Sequence, residues 1–126
     1  MNKVFEKGLE IRKEVLGNEY VENSINNATD FNRELQEFVT TYCWGEVWGR
    51  DGLPRKTRSI INLAMITALN RPHELKLHVR GALRNGLTED EIKEVLLQTA
   101  VYCGVPAAID SFRVAKQVID DYNLNS

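Results

Sequence analysis

NGLTEDEIKEVLLQTAVYCGVP, residues 85–106, marks both ends of a helix. Asn85-Gly86 closes the segment before it, because glycine enters the left-handed conformation that ends a helix without a Cβ penalty. Thr88 and Glu91 form a T-x-x-E capping box, in which each side chain accepts a hydrogen bond from the other residue's backbone N–H. Ile92, Val95, Leu96, Thr99 and Cys103 then recur at three- and four-residue intervals, the inward stripe of an amphipathic helix. Gly104 stops that helix and Pro106 opens the next.

The same grammar extends outward. Downstream, Ala108, Phe112, Ala115, Ile119 and Tyr122 form an inward stripe before the polar tail NLNS. Upstream, Pro72 starts a helix with Leu75, Val79, Ala82 and Leu83 on its inner face. Before that, SIINLAMITALN (59–70) is apolar almost all round, as a central helix would be. It follows a break at Asp51-Gly52-Leu53, with Pro54 suited to a first turn. Residues 2–16 carry Val4, Phe5, Leu9, Val15 and Leu16 and stop before Gly17. After the polar stretch NSINNATD, Asp30 is placed to cap a helix in which Phe31, Leu35, Phe38, Val39 and Tyr42 make one stripe. No segment alternates as a strand does. The expectation is one all-α domain over residues 1–126, of about six helices, undivided by linker or repeat.

Composition narrows the function. The chain has 126 residues, 43% hydrophobic and 27% charged, with a formal charge of −2 and no dense basic run, so nucleic acid is not an expected partner. The N-terminus mixes charges with apolar residues, and no stretch approaches the ~20 apolar residues of a membrane span, so a cytoplasmic protein without a membrane partner is expected. Cys43 and Cys103 form no C-x-x-C, and read as buried reduced thiols. His73 and His78, five residues apart, fall on different sides of a helix, so no metal site is expected of them.

Candidate chemistry concentrates at two places. In YCWGEVWGRDGLPRKTRS (42–59), both tryptophans, Trp44 and Trp48, flank Glu46 where three glycines suggest that regular structure ends. A carboxyl group packed against indoles would favour its neutral form and suit acid–base work; the alternative is a Glu46 that points to water. Arg50, Arg55, Lys56 and Arg58 read either as a solvated face or as a substrate-carboxylate site, since cations at a helix start oppose the helix dipole. His78 lies three residues after Leu75 and four before Ala82, and so shares their inward face. It is either a core histidine or a proton donor facing a pocket.

Three runs then carry a resemblance: W-G-E-V-W-x-R-x-G-L-x-x-K-x-R-S (44–59), E-L-x-x-H-V-x-G-A-L-x-N-G-L-T-x-x-E-I-x-E (74–94) and Y-x-G-V-P-A-A (102–108). With these, essentially the whole chain resembles the carboxymuconolactone decarboxylase family. The resemblance implies the helical fold shared with alkylhydroperoxidase-D-like proteins and a homo-oligomer, commonly a hexamer. It also implies cofactor-independent decarboxylation of 4-carboxymuconolactone to the β-ketoadipate enol-lactone in aromatic catabolism. On that reading His78 supplies the proton or oxyanion contact, and Glu46 partners it or handles the proton. Arg50 and Arg58 clamp substrate carboxylates, and Trp44 and Trp48 line the dry side of the pocket. The superfamily's thiol peroxidases carry C-x-x-C four residues before the histidine, preceded by a glutamate. Here those positions hold Arg71, Glu74 and Ser59, which disfavours peroxidase chemistry. A related small-molecule enzyme of the same fold, or a helical oligomer without catalysis, are the alternatives.

Overall fold

The computed structural model describes residues 2–125, and among these the chain is helical with no strand. Helices α1 (Lys3–Leu16), α2 (Asn18–Asn26) and α3 (Arg33–Phe38) and a π-helical segment (Val39–Val47) are followed by α4 (Arg55–Ala68), α5 (Pro72–Arg84), α6 (Glu89–Cys103) and α7 (Val105–Leu124). The chain forms two compact units, Met1–Pro54 and Arg55–Ser126.

In the first unit, α1 starts where Asn2 Oδ1 accepts from the Val4 N–H at 2.8 Å, and stops at Gly17, whose φ of 97° only glycine adopts cheaply. α2 follows directly, a helix the sequence reading did not name, and it runs into the start of the polar stretch NSINNATD. Its asparagines obscure a face formed by buried Val21 with half-buried Tyr20, Ser24 and Ile25. α3 begins after Asn32, not Asp30: Asn32 Oδ1 accepts from the Thr29 N–H at 2.8 Å, while Asp30 pairs with Arg33.

The chain then widens into i→i−5 hydrogen bonding, as in Trp48 N–H to Cys43 O at 2.9 Å. This register turns Thr40, Trp44 and Gly45 inward. Most of the expected stripe lies outside: Phe31, Leu35, Phe38 and Tyr42 are all exposed, Phe31 at 98%, and Val39 is half-buried. Nor does Gly45 end a helix. Gly8 of α1 and Gly45 of the π segment let the two backbones meet, since a Cβ on Gly8 would collide with the Thr40 carbonyl oxygen and sit 2.8 Å from the Gly45 nitrogen. Beside this contact the buried Arg12 guanidinium donates to Thr40 Oγ1 at 3.1 Å and Gln36 Oε1 at 3.0 Å, hydrogen bonds that a charge taken out of water requires.

In the second unit α4–α7 enclose one apolar core of Leu63, Leu75, Val79, Ala82, Leu87, Ile92, Leu96, Ala115, Val118 and Ile119. The helix starts and stops are as expected: Pro72 in the first turn of α5, Gly86 at φ 98°, the reciprocal Thr88–Glu91 capping box, and Gly104 at φ 118°. α4 is not surrounded on all sides. It buries Ser59, Leu63 and Thr67 along one line and exposes Ile61 and Met65 along another. Both cysteines are exposed, against the expectation of burial. Cys43 lies on the outer side of the π segment, and Cys103 falls at the end of α6, one turn beyond the last buried residue, Thr99.

The close approach of α1 to the π segment makes a testable claim. Gly8→Ala should cost about 1–3 kcal/mol or more, the range for forcing atoms into packed space. Gly52→Ala, where a Cβ meets nothing within 4 Å, should stay within about 0.5 kcal/mol. Urea unfolding of both variants checks this; equal midpoints would contradict it.

Candidate functional site

In the second unit the site is built on the pairing of α4 with α5. The turn between them closes through Asn70, which takes φ 56° as asparagine can, and Arg71, whose N–H donates to Ile66 O at 3.1 Å. At the far end of the pair, Asn85 Nδ2 donates to the buried Ser59 Oγ at 2.9 Å, tying the end of α5 to the start of α4. Between these ties Leu75 and Val79 of α5 are buried with Leu63 of α4. His78, next to Val79, is half-buried, with its Nδ1 3.5 Å from the Asn62 side-chain nitrogen of α4, a long hydrogen bond. Arg58 is half-buried one turn before Asn62, and spacing by four puts the two on one face.

Burial pushes the His78 pKa down, and Glu74, one turn earlier on α5, opposes that shift without cancelling it. Desolvation therefore wins, and the imidazole is neutral at pH 7. A neutral imidazole carries one N–H donor and one acceptor nitrogen, so it can donate a hydrogen bond without bringing a positive charge. Lys56, one of the cations at the start of α4, has a structural partner: it reaches Glu91 of the capping box at 3.1 Å. The Thr88 backbone hydrogen bond, followed by that of Lys56, holds the Glu91 carboxyl below its usual range.

In the first unit Trp44 and Trp48 are buried and stack on each other, with centroids 4.8 Å apart and planes inclined by 25°. Rings in that contact leave no room for a carboxylate, so Glu46 does not project between them. Its side chain is exposed, as is that of Arg50. Thus the structure brings Trp44 to Trp48 in one unit, and gathers His78, Asn62 and the face bearing Arg58 in the other. Asn62 was not singled out from the sequence. Its signal is an amide inside the apolar run SIINLAMITALN, four residues after Arg58. Among the described residues no cluster of His, Cys, Asp or Glu could hold a metal ion, and no helix is long and apolar enough to cross a membrane.

The profile of the carboxymuconolactone decarboxylase family matches residues 33–117. Over 120 residues the chain is 43% identical to the 4-carboxymuconolactone decarboxylase of Acinetobacter baylyi, a match covering 95% of this chain and 90% of that protein. It is 49% identical over 119 residues to the nitrosuccinic acid decarboxylase of Metarhizium robertsii, covering 94% and 83% respectively.

The buried imidazole predicts a pH effect on stability. With its folded pKa below the ordinary 6.5, the unfolded chain binds the extra proton more readily, so this site destabilises the fold as pH falls below about 6.5 and has no effect well above it. Wild type should therefore lose more stability than His78→Gln between pH 7.5 and 5.5, measured by denaturant unfolding. Parallel profiles, or a steeper loss in the variant, would contradict the burial argument.

Proposed function

The chain belongs to the carboxymuconolactone decarboxylase family, and from that premise we propose that it decarboxylates a small dicarboxylate carrying its own electron sink, 4-carboxymuconolactone first among them. The relatives' names support the class. In 4-carboxymuconolactone the departing carboxylate sits on a carbon conjugated through a ring double bond to the lactone carbonyl; in nitrosuccinic acid it sits on the carbon bearing the nitro group. Both molecules also keep a –CH2–COO⁻ arm. Breaking the carbon–carboxylate bond sends its electron pair to the lactone oxygen as a dienolate, or to the nitro oxygens as a nitronate. A proton then returns to carbon. Because the substrate accepts the electrons, the reaction calls for no cofactor.

The observation that carries this reading is the neutral, half-buried His78 against Asn62. With the Asn62 amide donating to Nδ1, the imidazole proton resides on Nε2, and that N–H stabilises the oxygen on which charge develops. A guanidinium suits a carboxylate through paired N–H donors, which is the role assigned to Arg58, with Arg50 as a second clamp. Glu46, exposed and therefore hydrated, is assigned the proton transfer. The Trp44–Trp48 stack is assigned the apolar wall for the departing carboxylate. The chain is proposed to work as a homo-oligomer, of hexameric type. The exposed stripes Phe31–Leu35–Phe38–Tyr42 and Leu97–Val101–Val105–Ile109 are apolar surface that assembly would cover.

A second reading, nitrosuccinate as the natural substrate, is favoured by the 49% identity to the Metarhizium enzyme. Assays of both acids decide between them, following loss of substrate and appearance of the enol-lactone or of 3-nitropropanoate. For the preferred acid, His78→Gln should lower kcat and kcat/KM together by about 10²–10³-fold, the cost of removing one oxyanion donor. Arg58→Ala should act mainly on KM. Turnover of neither acid, or a folded His78→Gln protein within about threefold of wild type, would overturn the proposal.

A further inference from the structure

We propose that a groove between α5 and α7 is a binding site for a small organic dianion, separate from His78. The groove has a volume of about 600 Å³, within the size range of small-molecule sites. One wall is Lys76, Arg80 and Arg84, spaced by four along α5; Asp121 on α7 is the acidic residue facing them. Three cations against one carboxylate leave two positive charges, the complement of a dianion.

That line of cations is unfavourable unless something offsets it. Like charges at i and i+4 repel on a helix surface by a few tenths of a kcal/mol per pair. Elsewhere in this unit cations pair within their own helix, as Arg113 does with Asp110 and Lys116 with Asp120, or across helices, as Lys56 does with Glu91. Lys76 and Arg80 make no such pair among the described residues. An anion in the groove would satisfy both. The groove is also partly apolar: Val118 is buried, and Leu77 and Tyr122 are half-buried along it. A ligand with a hydrocarbon or aromatic body between or beside its charges fits this lining better than a bare inorganic ion.

The two sites on α5 face different ways. At 100° per residue, positions 76, 80 and 84 progress along one side, whereas position 78 falls well away from it, toward Asn62 of α4. A ligand in the groove therefore contacts the helix that carries His78 from its other side, as an effector site would.

The test uses isothermal titration and amide chemical-shift mapping of the full chain with isophthalate and phenyl phosphate as dianions of the two chemistries, benzoate as a monoanion and inorganic phosphate as a bare ion. Isophthalate or phenyl phosphate should bind at about 1 mM or tighter, moving amides of residues 76–84 and 118–125; whichever binds tighter identifies the anionic group. Benzoate and inorganic phosphate should bind at least tenfold more weakly. Lys76→Gln/Arg80→Gln changes two exposed side chains. It should keep the fold and the decarboxylase turnover while weakening dianion binding at least tenfold. No binding of either dianion at ten times that concentration, equal binding by the double variant, or shifts confined to the surroundings of His78 and Asn62 would each overturn the proposal. None of these results depends on which acid the enzyme decarboxylates.

Discussion

Desolvation of one imidazole against the neighbouring helix is the constraint on which the functional account depends. His78 is held at the α4–α5 interface, where loss of water outweighs the attraction of Glu74 and keeps the ring neutral. That environment follows from packing. Leu63, Leu75 and Val79 are almost wholly out of water, each worth about 1.5–3 kcal/mol of burial, and the Asn85–Ser59 hydrogen bond fixes the end of the helix pair. A histidine on a solvated helix would titrate near 6.5 and carry a fractional charge under working conditions. A developing oxyanion gains from a fixed donor, and a neutral N–H is such a donor at every pH where the ring stays unprotonated.

The helical frame of the second unit was legible because its signals are local. Proline in a first turn, glycine at positive φ and a reciprocal capping box act within a few residues, so Pro72, Gly86, Thr88–Glu91 and Gly104 could be read directly. His78 was legible as an inward residue for the same reason: its spacing from Leu75 and Ala82 is a property of one helix. Its partner was not. Asn62 meets it across two helices, and periodicity within a helix carries no information about register between helices.

The first unit shows where such reading stops. A stripe of Phe31, Leu35, Phe38 and Tyr42 presumes one helix at 3.6 residues per turn throughout, but α3 starts only at Arg33 and the i→i−5 segment replaces that period from Val39 onward. Hydrophobic patterning cannot announce a π segment, because the deciding contacts, Gly8 against Gly45 and Arg12 against Thr40, lie in a different helix. The cysteines were misread for a related reason. A small apolar side chain is usually buried, but Cys43 and Cys103 sit on an outer face and at a helix end, where nothing covers them in the single chain.

The proposed catalysis turns on the protonation of the His78 ring. The most direct measurement is the ¹⁵N spectrum of the His78 side chain at pH 7, compared between wild type and Asn62→Ala. The account predicts a neutral imidazole with its proton on Nε2 and an acceptor Nδ1, an arrangement loosened when Asn62 is removed. An imidazolium at pH 7, or a proton resident on Nδ1, would contradict it.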